Sequence, residues 1–206
     1  MLIGNDGILK LADFGFARMY EDYTTPMTPR AVTLWYRCPE LLLGAAHYGP
    51  SIDLWSVGCV FAELMLRVPY FAAESELEQL TKIFEAMGTP TEKDWPGLTE
   101  LCNGIQFKQY PRPQLASLFT AAGDDTLDLL SKLLMYDPRR RLSAKDALGH
   151  PYFVNSPRPT VPEELPKSQG DYLHPHVKTE PPWQSKKRDA ADLLSQRKGK
   201  QLKFEE

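Results

Sequence analysis

The sixteen residues from Ser51 to Leu66 constrain this chain more than any others. Trp55, Val57, Val60, Phe61 and Leu64 spread over nearly every side of a helical wheel, so a helix here has no side to give to water and is expected at the centre of other elements, buried on all faces. Ser51 reads as its N-cap. A membrane span is not the alternative, because the most apolar stretch, residues 57–66, is broken by Gly58 and Glu63 and is too short to cross a bilayer. The partners for such a helix follow in the sequence. Glu74 to Met87 places Leu77, Leu80, Ile83, Phe84 and Met87 at helical spacing and stops at Gly88-Thr89-Pro90. Asp124 to Tyr136 repeats the pattern with Leu127, Leu130, Leu133 and Leu134 and stops at Asp137-Pro138; Ser143 to Leu148 forms a last short helix with Ser143 as N-cap. Residues 88–123 read as loop with short helical turns. With 42% hydrophobic residues the chain can bury a substantial core.

The front of the chain reads differently. Leu2-Ile3, then Asn5-Asp6-Gly7, then Ile8-Leu9-Lys10-Leu11 predicts a β-hairpin, since Asn/Asp-Gly supplies the positive φ of a tight turn. Residues 16–37 lack apolar periodicity and hold Pro26, Pro29 and several Thr, the composition of a long loop. From Asn155 onward prolines dominate and apolar periodicity fades, which predicts a disordered or loosely docked tail. A net charge of -3 gives no general affinity for polyanions, so direct nucleic-acid binding is not expected. Cys38, Cys59 and Cys102 are odd in number and widely spaced, which favours neither a disulfide framework nor a zinc site. No signal-peptide pattern opens the chain, and no membrane attachment is expected.

Two motifs carry the chemistry. Asp13-Phe14-Gly15 follows the strand-like run, and twenty-two residues lie between Gly15 and the second motif, Cys38-Pro39-Glu40. With Trp35-Tyr36-Arg37, Asp53-Leu54-Trp55-Ser56-Val57-Gly58 and Asp137-Pro138-Arg139-Arg140-Arg141 in the same order, the chain resembles a cyclin-dependent protein kinase. Leu66-Arg67-Val68-Pro69-Tyr70-Phe71 and Phe119-Thr120-Ala121-Ala122-Gly123-Asp124-Asp125 are similar to the subfamily that activates other cyclin-dependent kinases. The resemblance covers residues 1–153 and implies a protein-kinase-like C-terminal lobe, mainly α with a short β-hairpin and an activation loop (residues 13–40), followed by a tail over 154–206. The Gly-rich loop, strand Lys and His-Arg-Asp loop of such enzymes do not precede Asp13, so the N-terminal lobe is read as absent and the chain alone as inactive.

The resemblance assigns roles residue by residue. Asp13 would be catalytic, holding Mg²⁺ against the phosphates of ATP. Thr33 resembles a hydroxyl that contacts the catalytic loop. Thr28 matches the activating phosphothreonine, and Arg18 one of the arginines that would bind its phosphate. Val32 and Arg37 resemble residues shaping the pocket for the substrate residue after the phosphoacceptor, where Pro, lacking an N–H, is preferred. Glu40 and Arg141 look like a structural ion pair. Asp53 reads as an N-cap of the central helix. The implied partners are a cyclin H-like cyclin, a RING-type assembly factor and protein substrates, namely cyclin-dependent kinases and the RNA polymerase II C-terminal domain, in the setting of the transcription factor TFIIH. Lys186-Lys187-Arg188 and Arg197-Lys198-Gly199-Lys200 fit a nuclear import signal, giving a nuclear location with the cytoplasm left open; Val177-Lys178-Thr179-Glu180 has the form of a ubiquitin-like modifier site. The competing expectation is a non-catalytic docking module built from a kinase lobe.

Overall fold

A computed structural model describes residues 1–4, 6–17 and 33–165. The expectations for Arg18, Thr28 and Val32, and for the basic and modifier motifs of the tail, lie outside these residues. The chain divides into two compact units, residues 1–10 with 161–206 and residues 11–160.

In the first unit, β1 (Leu2–Ile3) pairs antiparallel with β2 (Leu9–Lys10), Leu2 opposite Lys10 and Ile3 opposite Leu9. Gly7 takes φ 75° at the turn, which a side chain would disfavour. The Asp6 carboxylate accepts from the Ile8 amide at 3.1 Å, the local bond that makes Asp a turn residue. The second strand is shorter than the run Ile8–Leu11 predicted. A 3-10 turn over Pro162–Glu164 belongs to the same unit.

The second unit is helical. Its elements are α1 (Pro39–Leu42), α2 (Ser51–Leu66), α3 (Glu76–Met87), α4 (Leu98–Leu101), α5 (Leu115–Leu118), α6 (Asp124–Leu133), α7 (Ala144–Leu148) and α8 (Pro151–Val154), with 3-10 turns at Phe14–Phe16 and Leu34–Tyr36. α2 packs on α6, α6 on α8, and α1 on α3. The ends follow capping chemistry. Ser75 precedes α3 and its Oγ accepts from the Glu78 amide, while Glu78 reaches back to the Glu74 amide. Gly88 ends that helix at φ 83°, and a Cβ there would lie 2.6 Å from Arg112 Cα. Ser143 caps α7 through Asp146 N.

The core is aromatic at its centre. Trp55 is fully buried, stacked on Phe71 with centroids 6.0 Å apart and tilted against Tyr136 at 6.3 Å. Tyr136 also meets Phe84 and Trp95, and its hydroxyl donates to the Gly88 carbonyl at 2.7 Å, giving a buried phenol the acceptor it needs. Burial pushes that phenol well above its ordinary pKa.

Five expectations are corrected. α2 is not buried on all faces: Trp55, Gly58, Cys59 and Ala62 line its buried side, while Val57 and Leu64 are 48% and 73% exposed. An all-round apolar pattern permits burial on every side, but the described neighbours of α2 leave these two side chains in solvent. Ser51 is the first helical residue and Pro50 the N-cap, and Asp53 lies within the first turn rather than at the cap. Leu77, counted on the apolar stripe of α3, is 60% exposed. α6 ends at Leu133 rather than Tyr136: Leu134 leaves helical geometry (ψ 32°) four residues ahead of Pro138, whose ring would clash with the carbonyl of residue 134 in a continued helix.

The contact of α2 with α6 is close at Gly58, where an added Cβ would fall 2.7 Å from Leu134 Cδ2 and 3.1 Å from Leu133 Cβ. Gly58→Ala gains helix propensity yet overpacks this crossing, so urea denaturation should show a net loss on the order of 1–2 kcal/mol.

Candidate active site

Asp13 follows β2 by three residues and takes φ 63°, ψ 76° as the cap of the Phe14–Phe16 turn. Its Oδ1 accepts from the Gly15 amide at 3.3 Å. Asp tolerates this left-handed geometry better than most residues because its short side chain bonds to nearby backbone. The residue is exposed, and the neighbouring Phe14 is 69% exposed. Among the described residues no group of three or more His, Cys, Asp and Glu side chains is placed to hold a metal ion. An exposed single carboxylate with one oxygen left over from its local bond still suits Mg²⁺, which is commonly held by one or two carboxylates together with waters and phosphate oxygens.

The second half of the site is the segment Thr33–Glu40. Thr33 is exposed, and its carbonyl accepts from the Tyr36 amide at 3.1 Å. Trp35 donates its indole N–H to the Ala73 carbonyl at 2.9 Å. Tyr36 is held at both ends by α2: Ser56 Oγ donates to its carbonyl at 2.9 Å, and its hydroxyl donates to Glu63 Oε2 at 2.8 Å. Burial first, and the Glu63 bond second, push the Tyr36 phenol up to about 12. Arg37 is buried and donates through Nη1 to Glu76 Oε1 at 2.6 Å, at the start of α3. Gln79 donates from Nε2 to the carbonyls of Trp35 and Phe71.

The segment ends in a buried ion pair. Arg141 meets Glu40 in fork geometry, Nη1–Oε1 2.7 Å and Nη2–Oε2 3.0 Å, with side-chain exposures of 0% and 4%. The guanidinium also donates to the carbonyls of Ser51 (2.8 Å), Met135 (3.0 Å) and Tyr136 (3.4 Å), and lies 5.2 Å from the Trp55 ring centroid. Beside it, burial is the first cause that holds the Cys38 thiol well above its usual range, and the Glu40 charge the second. Such a thiol is a poor nucleophile.

Asp13 and the segment 33–40 thus stand in the same unit. Ser56, Glu63, Glu76 and Gln79 were not singled out by sequence reasoning. Gln79 had a readable signal: a lone polar side chain on the stripe that carries Leu80, Ile83 and Phe84.

Comparison with known proteins identifies the family. The protein kinase domain family matches residues 1–153, and the chain belongs to that family. Its relatives include Cyclin-dependent kinase 7 of Dictyostelium discoideum, 52% identical over 81% of this chain and 46% of that protein. The probable serine/threonine-protein kinase KIN28 homolog of Encephalitozoon cuniculi is 53% identical over 81% of this chain and 53% of that protein. The serine/threonine-protein kinase crk1 of Schizosaccharomyces pombe is 46% identical over 87% of this chain and 54% of that protein. Among solved structures, a chain of the CAK complex from Chaetomium thermophilum bound to ATP-γ-S superposes with a TM-score of 0.76 at 44% identity, covering 80% of this chain and 53% of that one. The chain therefore spans about half the length of the relatives it matches.

Two outcomes follow for this site. Arg141→Met leaves the Glu40 carboxylate buried and unpaired, and should cost about 3–5 kcal/mol in thermal or urea unfolding. The raised Tyr36 phenol contributes stability that is complete below its unfolded pKa near 10 and is lost as pH rises toward about 12. Alkaline unfolding titrations should accordingly show a steeper fall in stability above pH ~10 for the wild type than for Tyr36→Phe.

Proposed function

We propose that this chain is the C-terminal-lobe portion, residues 1–153, of a cyclin-dependent serine/threonine kinase of the kinase-activating type. The reaction is transfer of the γ-phosphate of MgATP to Ser or Thr of other cyclin-dependent kinases or of the RNA polymerase II C-terminal domain. The single observation that carries the geometric side is Asp13, an exposed carboxylate held in a left-handed turn by its bond to Gly15. Identities of 46–53% with the kinases named above support the family side.

MgATP, when bound, supplies the phosphoryl group and the cation that offsets its charge. Asp13 offers that cation one carboxylate. The segment 33–37, pinned by α2 and α3, receives the peptide, with Val32 and Arg37 shaping the place of the residue after the phosphoacceptor and Thr33 turned toward the catalytic loop of the whole enzyme. Thr28, once phosphorylated, pairs with Arg18 and orders the loop between the two motifs. Glu40 with Arg141 fixes the end of that loop. The partners proposed are a cyclin H-like cyclin and a RING-type assembly factor, and the place of work is the nucleus. The 206-residue chain by itself is proposed to be inactive, since phosphoryl transfer is chiefly positioning and charge neutralisation by parts that Asp13 alone does not supply.

Phosphorylation of a Ser/Thr-Pro peptide by the longest product of the locus that carries these residues tests the reading. Wild type should transfer phosphate, Asp13→Asn should lose at least ~100-fold in kcat/KM, and residues 1–206 should give no turnover. Normal turnover by Asp13→Asn would overturn the assignment of that carboxylate.

A further inference from the structure

We infer that Gln79 is a positioning residue for the segment 33–37; that this segment receives the peptide rests on the function proposed above. Gln79 lies in the second half-turn of α3, fully buried beside Leu80, Ile83 and Phe84. Its Nε2 donates to the Trp35 carbonyl at 3.2 Å and to the Phe71 carbonyl at 3.1 Å. Both acceptors are carbonyl oxygens, so only the NH₂ end of the amide can face them, and its orientation is fixed by chemistry. The other end, Oε1, is buried and has no hydrogen-bond partner among the described residues.

An unpaired buried acceptor is a cost, and Leu or Met on this stripe would avoid it. What the amide does instead is join three stretches distant in sequence: α3, the loop at Phe71 and the turn Leu34–Tyr36. The Trp35 indole closes the set by donating to the Ala73 carbonyl at 2.9 Å. Trp35, itself 39% exposed, is thereby bonded through its main chain to Gln79 and through its side chain to Ala73, both buried. The flanking residues use other anchors, Tyr36 on Ser56 and Glu63, Arg37 on Glu76. Among the described residues, Gln79 is the one side chain that holds the turn's main chain at Trp35, and it is itself buried in a packed helix stripe. Its role is conformational specificity of the turn more than stability of the fold.

That difference is measurable. Hydrogen exchange on the 206-residue chain reads the Tyr36 and Arg37 amides, which close the turn onto the carbonyls of Thr33 and Leu34 at 3.1 Å each. Gln79→Met keeps the volume and removes both donors. Exchange at these amides should rise about tenfold. In Tyr136→Phe, which loses the bond to Gly88 at the far end of α3, it should stay within about twofold. In the longest product, Gln79→Met should raise KM for the peptide about tenfold and leave KM for ATP and kcat within about twofold. Should Gln79→Met fail to fold, Gln79→Asn, one methylene too short to reach both carbonyls, is expected to move the same readouts. Unchanged exchange at residues 36–37, an equal rise in Tyr136→Phe, or a peptide KM that stays put in an active enzyme overturns the inference. A wild-type product without phosphotransfer overturns the proposed function instead, and the exchange comparison then decides the role of Gln79 alone.

Discussion

The pair Glu40–Arg141 is the constraint on which the arrangement of the helical unit depends. Each of the five N–H groups of the guanidinium has an acceptor: Nε the Met135 carbonyl, Nη1 Glu40 and the Ser51 carbonyl, Nη2 Glu40 and the Tyr136 carbonyl. Taking two charges out of water is expensive, and the Coulomb attraction repays it only when geometry is good and the remaining donors are satisfied. Both conditions hold here. Because the acceptors come from α1, the start of α2 and the stretch after α6, one side chain fixes where three parts of the chain meet. The Trp55 ring beside the guanidinium adds a face that an arginine can lie against without losing its in-plane bonds.

From that anchor, order passes toward the site along α2. Ser56 and Glu63 are seven residues apart and so share one helical face, and Tyr36 spans them, carbonyl to Ser56 and hydroxyl to Glu63. The segment 33–37 is held by apolar packing of Leu34 and Tyr36 on the core and by polar bonds, most of them to side chains on helices, rather than by strand pairing. A turn held that way has a defined shape only while each named partner stays in place, which is why a single buried amide such as Gln79 can matter there without mattering much to the core.

The sequence reading worked best where a local pattern decides the outcome. α2 begins and ends as its apolar run predicted, Ser143 caps α7, and the Asn-Asp-Gly signal marks the hairpin turn. It worked least well where neighbours decide. Val57 and Leu64 read as core and are exposed, because an apolar side chain is buried only if an element lies over it. Leu77 fails for the same reason. The two ends of the candidate site were legible as two motifs and a spacing, because Asp13 and Glu40 lie in short local patterns of the sequence. The residues that hold the segment between them were not legible, because Ser56, Glu63, Glu76 and Gln79 lie 20 to 44 residues from their partners and no local pattern encodes such pairing. Gln79 alone broke a periodicity, a polar residue on an apolar stripe.

The two motif ends are held to opposite degrees, and this bears on what each can do. Glu40 is immobilised by a bidentate partner out of solvent, so its charge is committed to the fold and is unavailable to a ligand. Asp13 has one local bond, is open to solvent and sits in a backbone region that few residues enter. Gly or Asn would satisfy that backbone as readily as Asp. The conformation therefore does not by itself call for a carboxylate, and a charge left exposed at the end of such a turn fits the cation-holding role proposed above. An asparagine in its place keeps the turn and its bond to Gly15 while removing the charge, so any change it brings reports on the charge alone.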